Sequence, residues 1–310
     1  MITVKNLSKR FGETIAVNNV SFEVSQGEIL GFLGPNGAGK TTTMKIITCY
    51  LEPDSGTVKI GDLNTQDDSL EIRKTIGYLP ENTPLYMDMG VVDYLLFVAE
   101  LRGIPGDKRL KRVRDMVETC SLEREIKKNI GELSKGYRQR VGLAQTLIHD
   151  PAILILDEPT SGLDPNQIIE IRELIKKISK EKTIIISTHI LPEVTATCNR
   201  AIIIHNGKLV ADGTTEELAE KSRGRTTYYA RIKGSKDEVK TRLQELISIE
   251  NVKTQGESDG FIRYEIMAQR GKDPCEDIYR LSVKNNWILT ELSQERASLE
   301  SVFRELTKGE

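Results

Sequence analysis

The sequence predicts an α/β protein built on a parallel β-sheet, with a smaller α+β domain at its C-terminal end. Residues 153–156 are four consecutive aliphatic side chains, as in a central strand buried on both faces of such a sheet. A second apolar run, residues 29–33, is followed by a glycine-rich loop and then by a helical stretch with one apolar face. The pattern changes near residue 222. We therefore expect one domain over residues 1–222 and another over residues 223–310.

The glycine-rich loop fits the pattern G-x-x-x-x-G-K-[ST] of a phosphate-binding loop. Gly34, Gly37 and Gly39 allow backbone amides to converge on a polyphosphate, because no β-carbon stands in the way. The following helix adds unpaired N–H groups and partial positive charge. Lys40 can reach the β- and γ-phosphates, and the Thr41 hydroxyl can hold Mg²⁺. The alternative is a turn that only caps a helix, but the strand before and the helix after favour phosphate binding.

Composition limits the class of protein. The 310 residues are enough for two domains with their own cores, and a net charge of −2 gives no argument for nucleic acid or an anionic membrane as partner. The four cysteines (Cys49, Cys120, Cys198 and Cys275) are far apart, as in a reduced intracellular protein. The sequence shows no signal-peptide layout at residues 1–5 and no apolar run near the roughly 20 residues that span a bilayer. We expect any membrane-spanning part to be another chain.

Short strands and one helical insert surround the loop. Residues 20–24 alternate as a half-buried strand does, and Phe11 stands near the end of a strand. From the residues alone, Phe11 is expected to be a core or edge residue. Residues 57–61 and 75–80 are further strands, and the region from about 85 to 148 has helical periodicity.

A basic run lies within the helical insert. It consists of Lys108, Arg109, Lys111, Arg112 and Arg114. Two interpretations stay open: a solvated helix face, or a contact with acidic lipid headgroups or an acidic partner loop.

Two acids and a histidine follow the buried strands. Asp157 and Glu158 come directly after residues 153–156, at the sheet edge where ligands bind in open α/β folds. One acid there could be a helix cap or a turn residue, but two adjacent acids downstream of a phosphate loop indicate Mg²⁺ and an activated water. His189 ends the next buried strand, residues 183–188. A structural and a functional role both stay open for this histidine.

Asp164 begins the helix that follows the acid pair. It suits an N-cap, with Pro165 at the first helical position and Gln167 completing a capping-box-like pair. Capping and a direct functional role are compatible at this position.

The last part of the chain alternates strands and helices. A hairpin with an Asn-Gly turn is expected over residues 201–210, and a helix with a capping box begins near residue 214. Beyond residue 225 the order of segments resembles a ferredoxin-like β-α-β-β-α-β unit, closed by a helix over residues 298–306. This tail carries no catalytic constellation, so its expected role is interaction or regulation.

Residues 133–145 settle the class. Ser134 alone could be a helix N-cap, but the sequence Leu-Ser-Lys-Gly-Tyr resembles the L-S-G-G-Q signature of ATP-binding-cassette (ABC) ATPases. The order of the other motifs is similar to that family over residues 1–213, and the tail resembles the accessory domain of bacterial exporter-type subunits, including multidrug and gliding-motility-associated ones. The resemblance implies a P-loop NTPase core: a parallel sheet with an antiparallel β subdomain and a helical subdomain at about 85–148.

The resemblance also implies a role for each motif residue. Phe11 would stack on adenine. The triphosphate of ATP would be held by Gly34, Pro35, Asn36, Gly37, Ala38, Gly39, Lys40, Thr41 and Thr42. Thr41 and Asp157 would bind Mg²⁺, Glu158 would polarise the attacking water, and His189 would contact the γ-phosphate. Ser134 and Gly136 would reach the γ-phosphate held by a second subunit, and Asp164 would bridge to the opposite phosphate loop.

The sequence departs from the family pattern at three positions. Lys135 and Tyr137 replace the usual glycine and glutamine of the signature, whereas Ser134 and Gly136 are retained. Glu81 stands where the family usually has a glutamine. A carboxylate can bind Mg²⁺, but it adds charge beside the γ-phosphate and cannot donate an amide hydrogen bond.

We expect an Mg²⁺-dependent ATPase subunit that powers transport, with export suggested by the tail. Its expected partners are integral-membrane permease chains and a second copy of itself, or a related ATPase, bound head to tail; no nucleic acid is expected. Its expected location is the cytoplasmic face of the cell membrane. The alternatives are a soluble ABC ATPase, which would need a long coiled-coil insertion or a second cassette, and a nucleotide sensor that is not coupled to transport.

Overall fold

The computed structural model describes residues 1–179, 181–221, 227–269, 271–294 and 303. The chain divides into two compact units, Met1–Thr215 and Glu216–Glu310. The predicted domain boundary, between residues 222 and 223, lies outside the described residues, and a division at that point stays a prediction.

The first unit alternates strands with helices. Its elements are β1 (Ile2–Phe11), β2 (Thr14–Val24), β3 (Ile29–Leu33), α1 (Lys40–Ile47), β4 (Ser55–Ile60), β5 (Leu63–Asn64), α2 (Ser69–Thr75), β6 (Ile76–Leu79), α3 (Val91–Leu101), α4 (Gly106–Thr119), a 3₁₀ turn (Ile130–Glu132), α5 (Lys135–Leu147), β7 (Ile153–Asp157), α6 (Pro165–Ser179), β8 (Thr183–Thr188), α7 (Leu191–Thr197), β9 (Arg200–His205) and β10 (Lys208–Thr214). Helix α8 (Thr215–Lys221) begins at the boundary of the two units.

A six-stranded sheet forms the centre of this unit. Its strands lie in the order β10-β9-β3-β8-β7-β6, and all neighbours are parallel except β10 and β9. Every residue of β3, β7 and β8 is buried. Unbroken aliphatic runs therefore occupy strands that are covered on both faces, as the sequence predicts.

The register of the central strands places three chain segments at one edge. Leu33 pairs with Thr188, and Asp157 pairs with Ser187. The carboxyl ends of β3, β7 and β8 thus finish at the same level, and the loops that follow them open onto the same side of the sheet.

The first unit also contains an antiparallel sheet and a helical insert. The antiparallel sheet has the order β2-β1-β4-β5. The region predicted to be helical holds α3, α4, the 3₁₀ turn and α5. None of the described helices combines the length and the apolar character that crossing a bilayer requires.

The basic run lies on α4 and is not a uniformly solvated face. Arg112 donates hydrogen bonds to the carbonyl oxygens of Leu147 and Ile148, both at 2.7 Å, so it satisfies carbonyls at the C-terminal end of α5. Arg109 bonds to the Ile104 carbonyl at 2.8 Å. The other three basic side chains, those of Lys108, Lys111 and Arg114, are exposed.

The second unit contains β11 (Thr227–Lys233), α9 (Lys236–Gln244), β12 (Ile249–Ser258), β13 (Phe261–Ala268), α10 (Cys275–Lys284) and β14 (Ile288–Gln294). Its four strands are antiparallel neighbours in the order β12-β13-β11-β14. This connectivity is that of the β-α-β-β-α-β unit. The predicted closing helix over residues 298–306 lies outside the described residues, apart from Phe303, which is helical.

Gly77 tests the packing of β6 against α5. A β-carbon at Gly77 would lie 2.5 Å from the Thr146 carbonyl oxygen and 2.9 Å from a Leu154 methyl group. We expect Gly77→Ala to lower the free energy of unfolding by about 1–3 kcal/mol, because the backbone of α5 must move to make room. Urea denaturation followed by circular dichroism measures the change.

Gly106 provides the matched control. A β-carbon at this first residue of α4 would meet nothing within 4 Å. Gly106→Ala is expected to raise the free energy of unfolding by about 0.4–1 kcal/mol, because it restricts the unfolded chain. Equal stability of the two variants would contradict the packing of β6 on α5.

Candidate active site

A pocket of about 570 Å³ opens at the carboxyl edge of the central sheet. It is lined by Phe11, Ala16, Asn36, Gly37, Gly39, Lys40, Thr41, Thr42, Glu81, Glu158, Ser161 and His189. Ten of these twelve are candidate residues named from the sequence; Ala16 and Ser161 are the additions. Residues distant in the chain are brought together because β3, β7 and β8 end side by side.

The phosphate loop is held in place by contacts that require glycine. Gly39 has a φ of 106°, and a β-carbon there would lie 2.3 Å from the Ala16 carbonyl oxygen. At Gly34 a β-carbon would lie 2.5 Å from the Ile204 carbonyl oxygen. A β-carbon at Gly37 would meet nothing within 4 Å, but the φ of 79° lies in the left-handed region that favours glycine. Glycine is therefore needed here for the backbone conformation and not for close packing.

The remaining loop residues support the conformation. The Ala38 amide donates to the Pro35 carbonyl at 3.2 Å, and the Ala38 carbonyl accepts from Gly207 at 3.1 Å, in the turn between β9 and β10. The Gly34 amide donates to the Thr188 carbonyl at 3.3 Å, which ties the loop to the end of β8. Helix α1 starts at Lys40, so its first amides face the pocket.

Lys40, Glu158 and His189 form one charged cluster. The Lys40 ammonium lies 3.3 Å from Glu158 Oε1 and donates to the Gly34 carbonyl at 2.9 Å. The other oxygen of Glu158 lies 2.9 Å from Nδ1 of His189. Lys40 and Glu158 are buried, whereas the His189 side chain is 44 % exposed. The carboxylate is thus held between a cation and an imidazole, with the imidazole toward solvent.

Glu158 has a backbone conformation that costs energy. Its φ is 49°, in the left-handed region that residues with a β-carbon seldom adopt. Its amide donates to the Ser187 carbonyl at 2.9 Å, and its carbonyl accepts from Ser161 at 3.1 Å. These bonds hold the turn directly after β7, which points the carboxylate to the pocket rather than along the strand.

Asp157 lies behind the pocket and is fully buried. The Ser187 hydroxyl donates to its Oδ1, and its Oδ2 has no hydrogen-bond partner among the residues the structure describes. Burial, with the nearby Asp157 carboxylate as a second cause, raises the pKa of the Tyr78 phenol. A buried carboxylate oxygen without a partner beside a phosphate loop fits a divalent cation.

Phe11 lies at the rim of the pocket and not in the core. Phe11 ends β1, and the residue is 51% exposed. From the residues alone Phe11 was expected to be a core or edge residue; the core alternative is wrong, because the strand ends at this position and the side chain lines the pocket. Glu81 is also exposed and lines the pocket.

Seven candidate residues do not line this pocket. Four of them adjoin it in the chain, namely Gly34, Pro35 and Ala38 of the phosphate loop and Asp157 before Glu158, whereas Ser134, Gly136 and Asp164 lie on other segments. Ser134 caps α5 by accepting from the Tyr137 amide at 3.4 Å, and Asp164 caps α6 by accepting from the amides of Asn166 and Gln167, each at 3.0 Å. A β-carbon at Gly136 would lie 2.6 Å from the Gln167 carboxamide carbon, so the first turn of α5 packs on the first turn of α6. We call Ser134, Gly136 and Asp164 the signature cluster.

Sequence reasoning missed the residues behind the pocket. Ser187 binds Asp157, and the hydroxyls of Thr160 and Thr188 both donate to Glu193 on α7. The available signal was an acid four residues after His189, in a short helix that also buries Leu191 and Val194.

The fold and the pocket define the class of this protein. A phosphate loop between a central strand and a helix, beside two buried carboxylates at the same sheet edge, is the site of an α/β nucleotide hydrolase of the P-loop type.

Comparison with known proteins gives the family. The family model described as ABC transporter matches residues 17–161. The bacitracin transport ATP-binding protein BcrA of Bacillus licheniformis is 34% identical over 312 residues, covering 100% of this chain and 98% of that protein. The ABC transporter ATP-binding protein NatA of Bacillus subtilis is 37% identical, covering 74% of this chain and 96% of that protein.

A solved structure agrees. It is the dimeric post-hydrolysis state of the ATP-binding cassette MJ0796 bound to ADP and Pi, with a TM-score of 0.64, 28% identity and coverage of 69% of this chain and 98% of that one. The chain belongs to the family of ABC transporter ATP-binding proteins. It is an ATP-binding ATPase subunit that drives transport.

Proposed function

We propose that this chain is the Mg²⁺-dependent ATPase of an exporter and acts as one half of a head-to-tail pair. The supporting observation is the separation of its functional residues. The pocket holds Lys40, Glu158 and His189, whereas the signature cluster lies outside it. A signature cluster that takes no part in its own pocket is available to complete the pocket of another subunit.

The phosphate loop holds the triphosphate. Residues Gly34 to Thr42 supply backbone amides, and the Lys40 ammonium supplies the charge for the β- and γ-phosphates. At present that ammonium contacts Glu158 at 3.3 Å, so an entering polyphosphate competes with the carboxylate for the same cation. Glu158 is thereby released toward the attacking water when the phosphates are bound.

The cation site consists of few protein groups. The described residues contain no cluster of three or more His, Cys, Asp and Glu side chains that would hold a metal alone. Mg²⁺ is usually held by one or two carboxylates together with substrate phosphates and water. Asp157, the Thr41 hydroxyl and Glu81 are the proposed protein ligands, directly or through water. When bound, the ion neutralises phosphate charge.

Glu158 acts as the general base. Its carboxylate takes a proton from water as the water oxygen bonds to the γ-phosphorus and the bond to the bridging oxygen breaks, so that ADP and phosphate leave. His189 holds the other carboxylate oxygen, at 2.9 Å, and so fixes the direction in which the base points. Its side chain is 44% exposed, which supports a contact with the γ-phosphate.

The family and the relatives support a proposal for the partners. The cassette MJ0796 is dimeric, and the names of several relatives describe transport or export, as in the Nod factor export ATP-binding protein I of Burkholderia lata. We infer a second copy or a related ATPase as the dimer partner, separate permease chains as the membrane part, and the cytoplasmic face of the membrane as the location. Residues 223–310 form the proposed accessory domain.

Glu158→Gln tests the proposed base. The variant keeps the shape of the side chain but cannot take a proton, so ATP hydrolysis should fall about 10²–10⁴-fold while ATP still binds. Light scattering should show an ATP-bound dimer that accumulates. Hydrolysis at the wild-type rate would refute the role of Glu158. Lys40→Ala is the contrasting variant, because it should lose ATP affinity itself.

Phe11→Ala tests the base-stacking role. Stacking of a base on an aromatic ring contributes about 1–3 kcal/mol, so the Kd for ATP should rise about 5- to 150-fold. Phe11→Tyr keeps the ring and should bind ATP as the wild type does. Titration with a fluorescent ATP analogue measures both variants, and equal affinities of the alanine and tyrosine variants would contradict stacking.

Asp157→Asn tests the cation site. We expect the affinity for Mn²⁺, used as a magnetic substitute for Mg²⁺, to fall about 10- to 100-fold in the presence of nucleotide. Electron paramagnetic resonance measures bound Mn²⁺ without relying on activity. Glu81→Gln should also lower the affinity for Mn²⁺, because Glu81 is a proposed ligand. Asp150→Asn is the control: Asp150 is an exposed acid outside the pocket lining, so its replacement should leave Mn²⁺ affinity unchanged.

A further inference from the structure

Glu193 is a buried carboxylate behind the pocket. It lies on α7, is 5% exposed, and accepts hydrogen bonds from the hydroxyls of Thr160 and of Thr188, the latter at 2.9 Å. Both hydroxyl-bearing residues are themselves buried. Burying a carboxylate is costly unless hydrogen bonds satisfy it, so these two bonds are required for Glu193 to occupy this position.

The two threonines lie on different segments next to the pocket: Thr160 follows β7, and Thr188 ends β8. Thr160 lies two residues after Glu158, and its carbonyl accepts from Leu163 at 3.2 Å. The Thr188 hydroxyl accepts from the Ile190 amide at 3.1 Å, and its carbonyl accepts from the Gly34 amide at 3.3 Å. Thr188 therefore holds the backbone on both sides of His189, as well as the start of the phosphate loop.

Glu193 thus joins the segment that carries Glu158 to the segment that carries His189. These two residues are themselves in contact at 2.9 Å on the pocket side. One link between the loops lies in the pocket and the other lies behind it. Without the Thr160–Glu193 hydrogen bond, the Glu158–His189 hydrogen bond would be the single side-chain bond left between segments 158–160 and 188–193 among the residues the structure describes.

We propose that Glu193 is a positioning residue for hydrolysis: it holds the Thr160 and Thr188 loops together so that His189 keeps Glu158 aligned. Glu193 does not line the pocket and acts through the segments that carry Thr160 and Thr188. This inference rests on the proposed function, in which Glu158 is the base and His189 its partner.

The first test replaces Glu193 by Leu and by Gln in the full chain. Glu193→Leu removes both hydrogen bonds, and kcat for ATP should fall about 10- to 100-fold with KM and ATP affinity within about threefold of wild type. Glu193→Gln accepts from one hydroxyl and donates to the other, so it should retain most of the activity. An equal loss in both variants would overturn the proposal, because charge and not alignment would then be the cause.

Threonine variants keep the test valid if Glu193→Leu does not fold. Thr160→Val and Thr188→Val each remove one hydroxyl at constant size, and each should lower kcat about 3- to 10-fold, whereas Thr160→Ser should restore it. Thr197→Val is the matched control: Thr197 is a buried threonine on the same helix whose hydroxyl has no partner among the described residues. A control loss equal to that of Thr160→Val would overturn the proposal.

A readout other than activity separates positioning from general destabilisation. The chain has three histidines, so the ring signals of His189 can be assigned by NMR through comparison with His189→Ala. Glu193→Leu and Thr160→Val should shift the His189 ring signals, and Thr197→Val should not. Unchanged His189 signals in Glu193→Leu would refute the inferred link.

A double-mutant cycle completes the test. If Glu193 acts through His189, then Glu193→Leu should cause little further loss in a His189→Ala background, while independent roles would multiply the two losses. Glu158→Gln separates the two levels of inference. Normal hydrolysis by Glu158→Gln would refute the proposed function, whereas an inactive Glu158→Gln with a fully active Glu193→Leu would overturn the Glu193 proposal alone.

Discussion

The register of three parallel strands is the constraint on which the rest of the structure depends. Backbone pairing sets Leu33 beside Thr188 and Asp157 beside Ser187. A slip by one residue would displace a strand by about 3.3 Å and turn its side chains to the opposite face of the sheet. The phosphate loop, the acid pair and the histidine would then no longer meet. The apolar runs of β3, β7 and β8, buried at every residue, provide the energy that fixes this register.

The pocket contains buried charged side chains that contribute little to the free energy of folding. Lys40 and Glu158 are both buried and form an ion pair at 3.3 Å, and a buried pair of this kind is weak support for stability. Asp157 has one carboxylate oxygen bonded to Ser187 and another with no partner among the described residues. Glu158 adds a left-handed backbone at the turn. These features are explained better by ligand chemistry than by folding, because a polyphosphate and a cation satisfy the groups that the chain does not.

The features that could be predicted from the sequence are those defined by residues close together in the chain. The phosphate loop and the Asp157-Glu158 pair were found because each is defined by its immediate neighbours: a buried strand before and a turn or helix after. The Asn206-Gly207 turn was also local, and both residues have positive φ as the hairpin requires. Phe11 was different, since whether a side chain at a strand end points to the core or to a pocket depends on which segments lie opposite it.

The residues that were missed take part in contacts between distant segments. Arg112 bonds to carbonyls at the end of α5, so a run that looks like a solvated face includes an internal cap. Glu193 bonds to Thr160 and Thr188, in separate loops. The partners of Arg112 and the Thr160 partner of Glu193 are more than 30 residues away, and the Thr188 partner alone is close in sequence. Only the folded arrangement of α7 against the ends of β7 and β8 brings them together.

The segment from Glu158 to Asp164 connects the two functional surfaces of the chain. At its start Glu158 faces the pocket, and at its end Asp164, a member of the signature cluster, caps α6. Between them, the Thr160 hydroxyl is fixed by Glu193 and the Thr160 carbonyl by Leu163. If Asp164 contacts a partner subunit as proposed, that contact lies six residues along the chain from Glu158, the proposed base, and the Thr160–Glu193 hydrogen bond lies between them. In the proposed head-to-tail pair, Glu193, as the proposed positioning residue, would therefore also influence how one pocket responds to the other subunit.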